Sequence, residues 1–453
     1  MNRIMILMLI LLGTSCREYL DAKPDKKLLV PSTIQDLQSL LDNDLLVNQR
    51  SPRAGEMSAD DYYLTDANLA ALTEFDRRMY TWGGSSLFQP GSINDWGNAY
   101  QIVNIANVIL ANVDKINRTS GDEERWRQVK GHALFVRAQA FLQITFIWTV
   151  AYDQSTANTD LGIPLRLDPD FNQPTTRSSL KQTYNQIISD LRTAAELLPD
   201  MPVHALRPSK AGVYVLLARV YLSMRDYPAM GEYAKQCLQI KNTLKDFNTL
   251  NQNAPASFVF APRFINEDEI ISESSMMSTS ALHQSMARID SVLYASFSEN
   301  DLRKKMLFKS NSDNTYGFRG SYSGSATLFS GLATNEVYLM RAEFYARSGN
   351  VSAAMADLNK LLEKRFVTNT FVPLVASSPG EALSLILKER RKELMMRGLR
   401  WMDVKRLNKE GASIRLERLI NKKSYVLLPN DPRYALPIPE DVISISGIRQ
   451  NPA

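Results

Sequence analysis

Between Lys388 and Leu407, charged and apolar residues interleave at helical intervals, and this constrains the fold more than any other stretch of the chain. Glu389 and Glu393 stand one helical turn apart, as do Glu393 and Arg397, while Arg400, Asp403 and Arg406 recur every third residue. Leu394, Leu399, Trp401, Met402 and Leu407 fall between these charges, so part of the ladder must lie against a core. Carboxylates and guanidinium groups survive in such a place only when paired. The spacing therefore predicts a helix whose charges hold the fold together and take no part in catalysis.

The same period runs through much of the chain. Asn94 to Val113 carries Trp96, Tyr100, Val103, Ile105, Val108 and Ile109; Glu123 to Val150 carries an Ala-rich stripe; Ser179 to Leu198 repeats Tyr184, Ile187, Ile188, Leu191, Ala195 and Leu198. Each predicts an amphipathic helix, with Trp96 and Tyr100 in the core, and Pro208 is placed as the first-turn proline of the next helix. Two stretches have tetratricopeptide spacing. From Asn335 to Lys364, Ala342, Tyr345, Gly349, Ala354, Leu358 and Leu361 supply the small, aromatic, turn and apolar positions. Lys210 to Gln239 repeats the scheme less closely with Ala218, Tyr221, Asp226, Tyr227 and Cys237, but has Met230 where a small residue is usual. Segments 94–150 and 180–198 would extend the array to about four imperfect units. By contrast, Met57 to Asn94 and Asn248 to Leu332 are rich in Ser, Gly, Asn and aromatics, and read as loops on the helical scaffold, with one short strand at Ser257 to Phe260.

At 453 residues, 44% hydrophobic and 22% charged, the chain can bury a large core, and its net charge of +5 without a basic tract argues against a nucleic-acid partner. Asn2-Arg3, the apolar run Ile4 to Leu12 and Gly13-Thr14-Ser15-Cys16 predict a lipoprotein signal peptide over residues 1–15. That run is far shorter than the 20 or so residues needed to span a bilayer core of about 30 Å. Cys16 would be the lipidated first residue, 16–31 a tether and 32–453 one domain with halves of about 32–240 and 241–453. Cys237 would then be the remaining thiol, so no intrachain disulfide is expected.

The signatures of phosphate-binding loops, dinucleotide folds, zinc-protease helices and serine elbows are missing from the sequence. His132, His204 and His283 are too dispersed to suggest a metal site. A glycosidase needs two carboxylates about 5 or about 6.5–9.5 Å apart, and chain neighbours such as Asp60 and Asp61, or Glu267, Asp268 and Glu269, are a poor source of such pairs. Neither catalysis nor a cofactor is expected. Sugar binding asks instead for flat aromatic faces beside planar polar groups, held in loops on a rigid scaffold. Trp82, Tyr80, Tyr63, Tyr316 and Tyr322 are the aromatic candidates, led by Trp82 beside Gly83-Gly84, with Asp61, Asn94 and Arg319 as polar partners.

The ladder reads Glu389-Arg390, Glu393-Leu394, Gly398, Arg400-Trp401, Asp403 and Arg406, and is followed by Leu436-Pro437-Ile438-Pro439 and Gln450-Asn451-Pro452. This order resembles the C-terminal signature of SusD/RagB outer-membrane lipoproteins, with Arg397 where that family often has Glu. Upstream, Arg137-Ala138 followed by Gly162-Ile163-Pro164, the helix from Ser178 to Pro199, and Arg207-Pro208-Ser209-Lys210 with Leu216 to Leu222 are similar to further family segments in the same order. The resemblance implies a SusD-like, mainly α fold in which tetratricopeptide-like helix pairs form a right-handed superhelical scaffold carrying long, irregular, aromatic-rich loops. It also implies a non-enzymatic lipoprotein of the outer membrane, facing the cell surface, that binds a nutrient oligomer, a glycan foremost, and delivers it to a TonB-dependent SusC/RagA-type transporter. A peptide ligand with the same transporter, or a repeat scaffold with no small ligand, are the alternatives.

Overall fold

The computed structural model describes residues 31–119, 121–251, 258–263 and 268–452. The signal peptide, Cys16 and the tether up to residue 30 lie outside them, as do Ser257 and Glu267. The principal helices are α1 (Ile34–Leu41), α2 (Asp95–Asn112), α3 (Glu123–Trp148), α4 (Leu180–Leu197), α5 (Lys210–Met224), α6 (Tyr227–Ile240), α7 (Thr334–Arg347), α8 (Val351–Glu363), α9 (Pro379–Glu393), α10 (Arg400–Asn408) and α11 (Glu440–Ser446). Their starts follow local chemistry. The Asn94 side chain accepts from Gly97 N at the head of α2, and Thr33 and Ser179 open α1 and α4 with reciprocal capping boxes. Ser209 caps α5, so Pro208 precedes the cap instead of occupying the first turn.

Consecutive helices pack as pairs, α2 on α3, α3 on α4, α5 on α6 and α7 on α8, and the array continues through α6 on α7 and α7 on α9. The α6–α7 approach depends on Gly231, where a Cβ would lie 2.2 Å from the Phe344 ring. The small residue that the repeat requires is thus one place beyond Met230. Arg225, with φ 63°, makes the left-handed turn between α5 and α6.

The C-terminal motifs close the fold. Trp148 at the end of α3 meets Trp96 edge-on at 5.2 Å and donates its indole N–H to Pro437 O at 3.1 Å. Asn451 Nδ2 donates to both Trp148 O and Leu436 O at 2.8 Å, and Gln450 exchanges two hydrogen bonds of 2.7 Å with the backbone of Ile438. The two proline-containing endings are therefore laced to each other and to α3.

The ladder differs from the single helix that its spacing predicts. α9 stops at Glu393, Met396 and Gly398 take φ of 57° and 76°, and α10 starts at Arg400. The Gly398 N–H points at Glu56 Oε2, 2.7 Å away, a contact from the far N-terminal part of the chain. The charges are buried and mostly paired, as expected, but across the fold. Arg303 joins Asp301, Glu389 and Glu393; Arg365 joins Glu269 and Glu393; Arg390 and Arg406 share Asp403; Arg400 grips Asp60.

The regions read as loops are more ordered than their composition suggests. Short helices occupy Asp66–Ala70, Glu74–Tyr80, Ser291–Ala295 and Leu302–Met306. Among the described residues, two-stranded antiparallel sheets pair β1 (Tyr62–Tyr63) with β3 (Arg288–Ile289), β2 (Ile270–Ser272) with β6 (Leu332–Ala333), β4 (Phe308–Ser310) with β5 (Tyr316–Phe318), and β7 (Leu416–Ile420) with β8 (Lys423–Leu427). Phe258 to Phe260 is irregular, not a strand.

Candidate functional site

The β4–β5 hairpin docks against β3 of the β1–β3 pair, and its first β5 residue joins a partly exposed aromatic pair. Tyr316, which opens β5, stacks on Tyr294 of the 291–295 helix with ring centroids 3.6 Å apart and planes 14° apart. Both rings are half-buried, so the pair is rigid yet reaches solvent. At the hairpin tip the exposed Asp313 faces Arg288 Nε at 3.4 Å, and Asn311 Nδ2 donates to Thr315 Oγ1 at 3.0 Å. Tyr63 pairs with Arg288 in the strand register, and burial together with the Asp313 carboxylate raises its phenol pKa. Lys304 Nζ lies 5.6 Å from the Tyr294 ring centre. Gly317 permits this packing, because a Cβ there would come within 2.4 Å of Gln284 O. Two stacked rings edged by a guanidinium, a carboxylate, an amide and a hydroxyl form a platform for a polyhydroxylated ring.

Of the sequence candidates, Tyr63 and Tyr316 flank this platform. Arg319 follows β5 half-buried, its Nη2 donating to Lys305 O at 2.8 Å. The remaining candidates lie elsewhere, and their placement corrects the sequence reading. Trp82 is 2% exposed, adopts φ 56° and donates its indole N–H to Ser58 O at 2.9 Å, so neither ring face is open. Tyr80 lies beneath the Arg418 guanidinium, 3.4 Å from its ring centre, and accepts from Leu64 N at 2.8 Å. Tyr322 is packed between Phe260 and Phe329, with its hydroxyl bonded to Glu269 and Asn335. Asn94 is committed to its helix cap. Aromatic residues beside Gly are as useful for turning a chain into its core as for reaching out of it, and composition does not separate the two cases. Tyr294, Arg288 and Asp313, which the fold sets beside Tyr316 and Tyr63, were not among the sequence candidates; the turn-forming Ser-Asp-Asn-Thr run immediately before Tyr316 was the available signal for this hairpin tip.

Asp61 belongs to a buried ion cluster. Its Oδ1 accepts from Arg391 Nε at 3.0 Å, while Asp60 takes a two-pronged grip from Arg400 at 2.6 and 2.9 Å. Burial would raise Asp60, but Arg400 and Arg391 outweigh it and hold the carboxyl at about 2. Among the described residues, no cation makes an ion pair with Glu56. Burial, with Asp61 and Asp60 adding to it, pushes its pKa up to about 8 despite the hydrogen bond from Gly398. From the ordinary carboxyl value of 4.5 up to about 8, the folded state therefore holds a proton that the unfolded state has lost. Stability should fall as pH rises through that window, by at most about 1.4 kcal/mol per unit. Glu56→Gln is expected to flatten this slope in urea titrations run from pH 5 to 8; an unchanged slope would mean that Glu56 is already ionised in the fold.

A second concavity, of about 590 Å³, lies between α2, the 164–175 segment and α11. Its lining is largely apolar, with Trp96, Ile105, Phe171 and Ile445 among it. Its polar groups are mostly committed: Tyr100 OH donates to Pro164 O, Asn107 Nδ2 to Arg166 O, and Arg166 to Asp170 O and Gln173 O. Phe171 and Ile445, 81% and 88% exposed, stand on its rim. Exposed apolar surface of this kind suits contact with another macromolecule better than contact with a sugar.

His132 is buried, with Nδ1 3.5 Å from Gln38 Nε2, and burial pushes its pKa down to about 3. Cys237 is buried, with its thiol pushed up to about 12. Among the described residues, no group of three His, Cys, Asp or Glu is arranged to hold a metal, and no helix is long and apolar enough to cross a membrane.

Comparison with known proteins bears on the whole arrangement. Residues 18–222 match the family described as "Starch-binding associating with outer membrane", and residues 303–453 match the SusD family. The chain belongs to the SusD/RagB family. Residues 211–243 also match a tetratricopeptide repeat, the unit in which Met230 had weakened the sequence pattern. A SusD-like protein P2 from Formosa agariphila is 26% identical over 371 residues, covering 69% of this chain and 71% of that protein. Among solved structures, a putative sugar binding protein from Bacteroides vulgatus superposes with a TM-score of 0.73 at 21% identity, covering 93% of this chain and 99% of the other. A SusD superfamily protein from Bacteroides thetaiotaomicron gives 0.72 at 20% identity, covering 93% and 100%. At these identities the likeness is one of fold. The SusD fold here is mainly helical and tetratricopeptide-like.

Proposed function

We propose that this chain is a non-enzymatic, lipid-anchored protein of the outer membrane, facing the cell surface, that captures a glycan oligomer on the Tyr294–Tyr316 platform. It hands the oligomer to a TonB-dependent SusC/RagA-type transporter. The observation that carries the ligand half is the half-open stacked pair, ringed by Arg288, Asp313 and Asn311. Family membership, and the sugar-binding description of one structural relative, support the same reading. Lipid at Cys16 would hold the protein at the membrane, and the apolar rim of Phe171 and Ile445 is the surface we assign to the barrel. A protein that must release its cargo gains nothing from tight binding, so the affinity is expected to be on the order of micromolar to millimolar.

The test is calorimetric titration of the protein begun after Cys16 with a panel of oligosaccharides, then with mixed peptides, repeated on Tyr316→Ala. Saccharide binding weakened roughly tenfold or more in the variant, about 1.4 kcal/mol, supports the platform. Saccharide binding that the variant leaves intact moves the site off the hairpin, and peptide binding alone replaces the glycan with a peptide. Silence in both panels favours a scaffold without small ligand. The transporter half is tested by purifying the full-length protein from detergent-solubilised membranes: a co-purifying β-barrel supports it, and purification alone overturns it.

A further inference from the structure

Arg397 is 6% exposed, and among the described residues its Nε and Nη2 have no hydrogen-bond partner. Its Nη1 donates to Asn335 Oδ1 at 3.1 Å, and its guanidinium lies 5.2 and 4.8 Å from the ring centres of Tyr322 and Phe329. The carboxylates closest in electrostatic effect, Glu336 and Glu269, are held by other cations. Glu336 is gripped by Arg219 Nε and Nη2 at 2.7 and 2.6 Å, and Glu269 accepts from Arg365 Nη2 at 2.7 Å. Arginine stays charged in proteins, and burying its charge without a counter-charge is strongly unfavourable.

Arg397 also lines a narrow cleft of about 40 Å³ between α3, α5 and the turn that separates α9 from α10. Ser51, Gln139, Gln143, Arg219 and Ser330 bring the other polar side chains to its wall. These are two guanidiniums, two amides and two hydroxyls, and no carboxylate is among the lining residues. Glu56 accepts from Gly398 N within the turn, and burial raises its pKa to about 8. The volume suits one monatomic ion or one or two waters.

We propose that this cleft binds a small monovalent anion of the halide class, chloride in ordinary media, as the counter-charge that Arg397 lacks. The ion would draw the N-terminal Ser51 segment, the α3 face and the C-terminal turn onto one centre, linking regions that are far apart in sequence. Its function is structural: it fixes the turn from which α10 and its Asp60-binding Arg400 depart.

The unfolding midpoint is to be measured in sodium chloride and sodium bromide against sodium gluconate at equal ionic strength, since gluconate is too bulky for the cleft. The midpoint is expected to rise saturably by roughly 2 °C in either halide, and Arg397→Gln should abolish the difference. Should that variant fail to fold, crystals of the unaltered protein grown in bromide decide the matter through an anomalous peak within hydrogen-bonding distance of Arg397. Equal midpoints in all three salts, or water in the cleft with no bromine signal, would overturn the assignment.

Discussion

Replacing Trp82 with Ala is expected to lower the free energy of unfolding by about 3–5 kcal/mol, and to reduce ligand binding only in proportion to the folded fraction. The indole is among the largest fully buried side chains, its N–H satisfies Ser58 O, and the Arg418 guanidinium lies 4.9 Å from its ring centre. Removing it opens a cavity, leaves a buried carbonyl without its donor and takes one aromatic face from Arg418, which already holds Met57 O and Ala59 O. Denaturant titration with far-ultraviolet dichroism measures the loss. A variant of undiminished stability that no longer binds saccharide would instead return Trp82 to the ligand site, as its position beside Gly83-Gly84 first suggested.

Glu393→Ala should be as damaging, for an electrostatic reason. Glu393 Oε1 accepts from Arg365 Nε at 2.9 Å, Arg365 Nη2 at 2.7 Å and Asn335 Nδ2 at 2.8 Å, while Oε2 accepts from Arg303 Nη1 at 3.1 Å. Both arginines are completely buried. Breaking a buried pair by deleting one partner typically costs about 3–5 kcal/mol, because the surviving charge stays out of water. Here two guanidiniums lose a shared acceptor, although Glu269, Asp301 and Glu389 still face them. Glu393→Gln keeps an acceptor without the charge and should recover part of the loss. If both variants unfold at the same denaturant concentration as the parent, the network is not what holds α9 against the 301–306 segment.

These two residues mark how far sequence reasoning reached. For Glu393 it supplied the correct role, because acids and bases interleaved with Leu, Trp and Met must be buried and must therefore pair. It could not supply the partners: Arg303 and Arg365 lie 90 and 28 residues away in the chain and are brought together only by packing. For Trp82 it supplied the wrong role, because a turn-forming Gly-Gly neighbour is equally compatible with a ring entering the core. The proposed platform was half legible. Tyr63 and Tyr316 stood out as aromatics in polar segments, whereas Tyr294 came into view only when its short helix was seen stacked on the hairpin.

What the sequence determined by itself was local and periodic. The helices 95–112, 123–148 and 180–197 follow from apolar spacing and from caps such as Asn94 and Ser179, all within a few residues of one another. The order of family motifs from Arg137 to Pro452 added the architecture. Tertiary structure alone decided where the ladder breaks, which rings reach solvent and which charges remain without a partner. The break at Gly398 is met by a carboxylate 342 residues earlier, and β5 packs against the backbone at Gln284, outside the hairpin, only because Gly317 has no Cβ. Contacts of that range leave no periodic trace in a chain, since their energy comes from surfaces that exist only once the helices have packed.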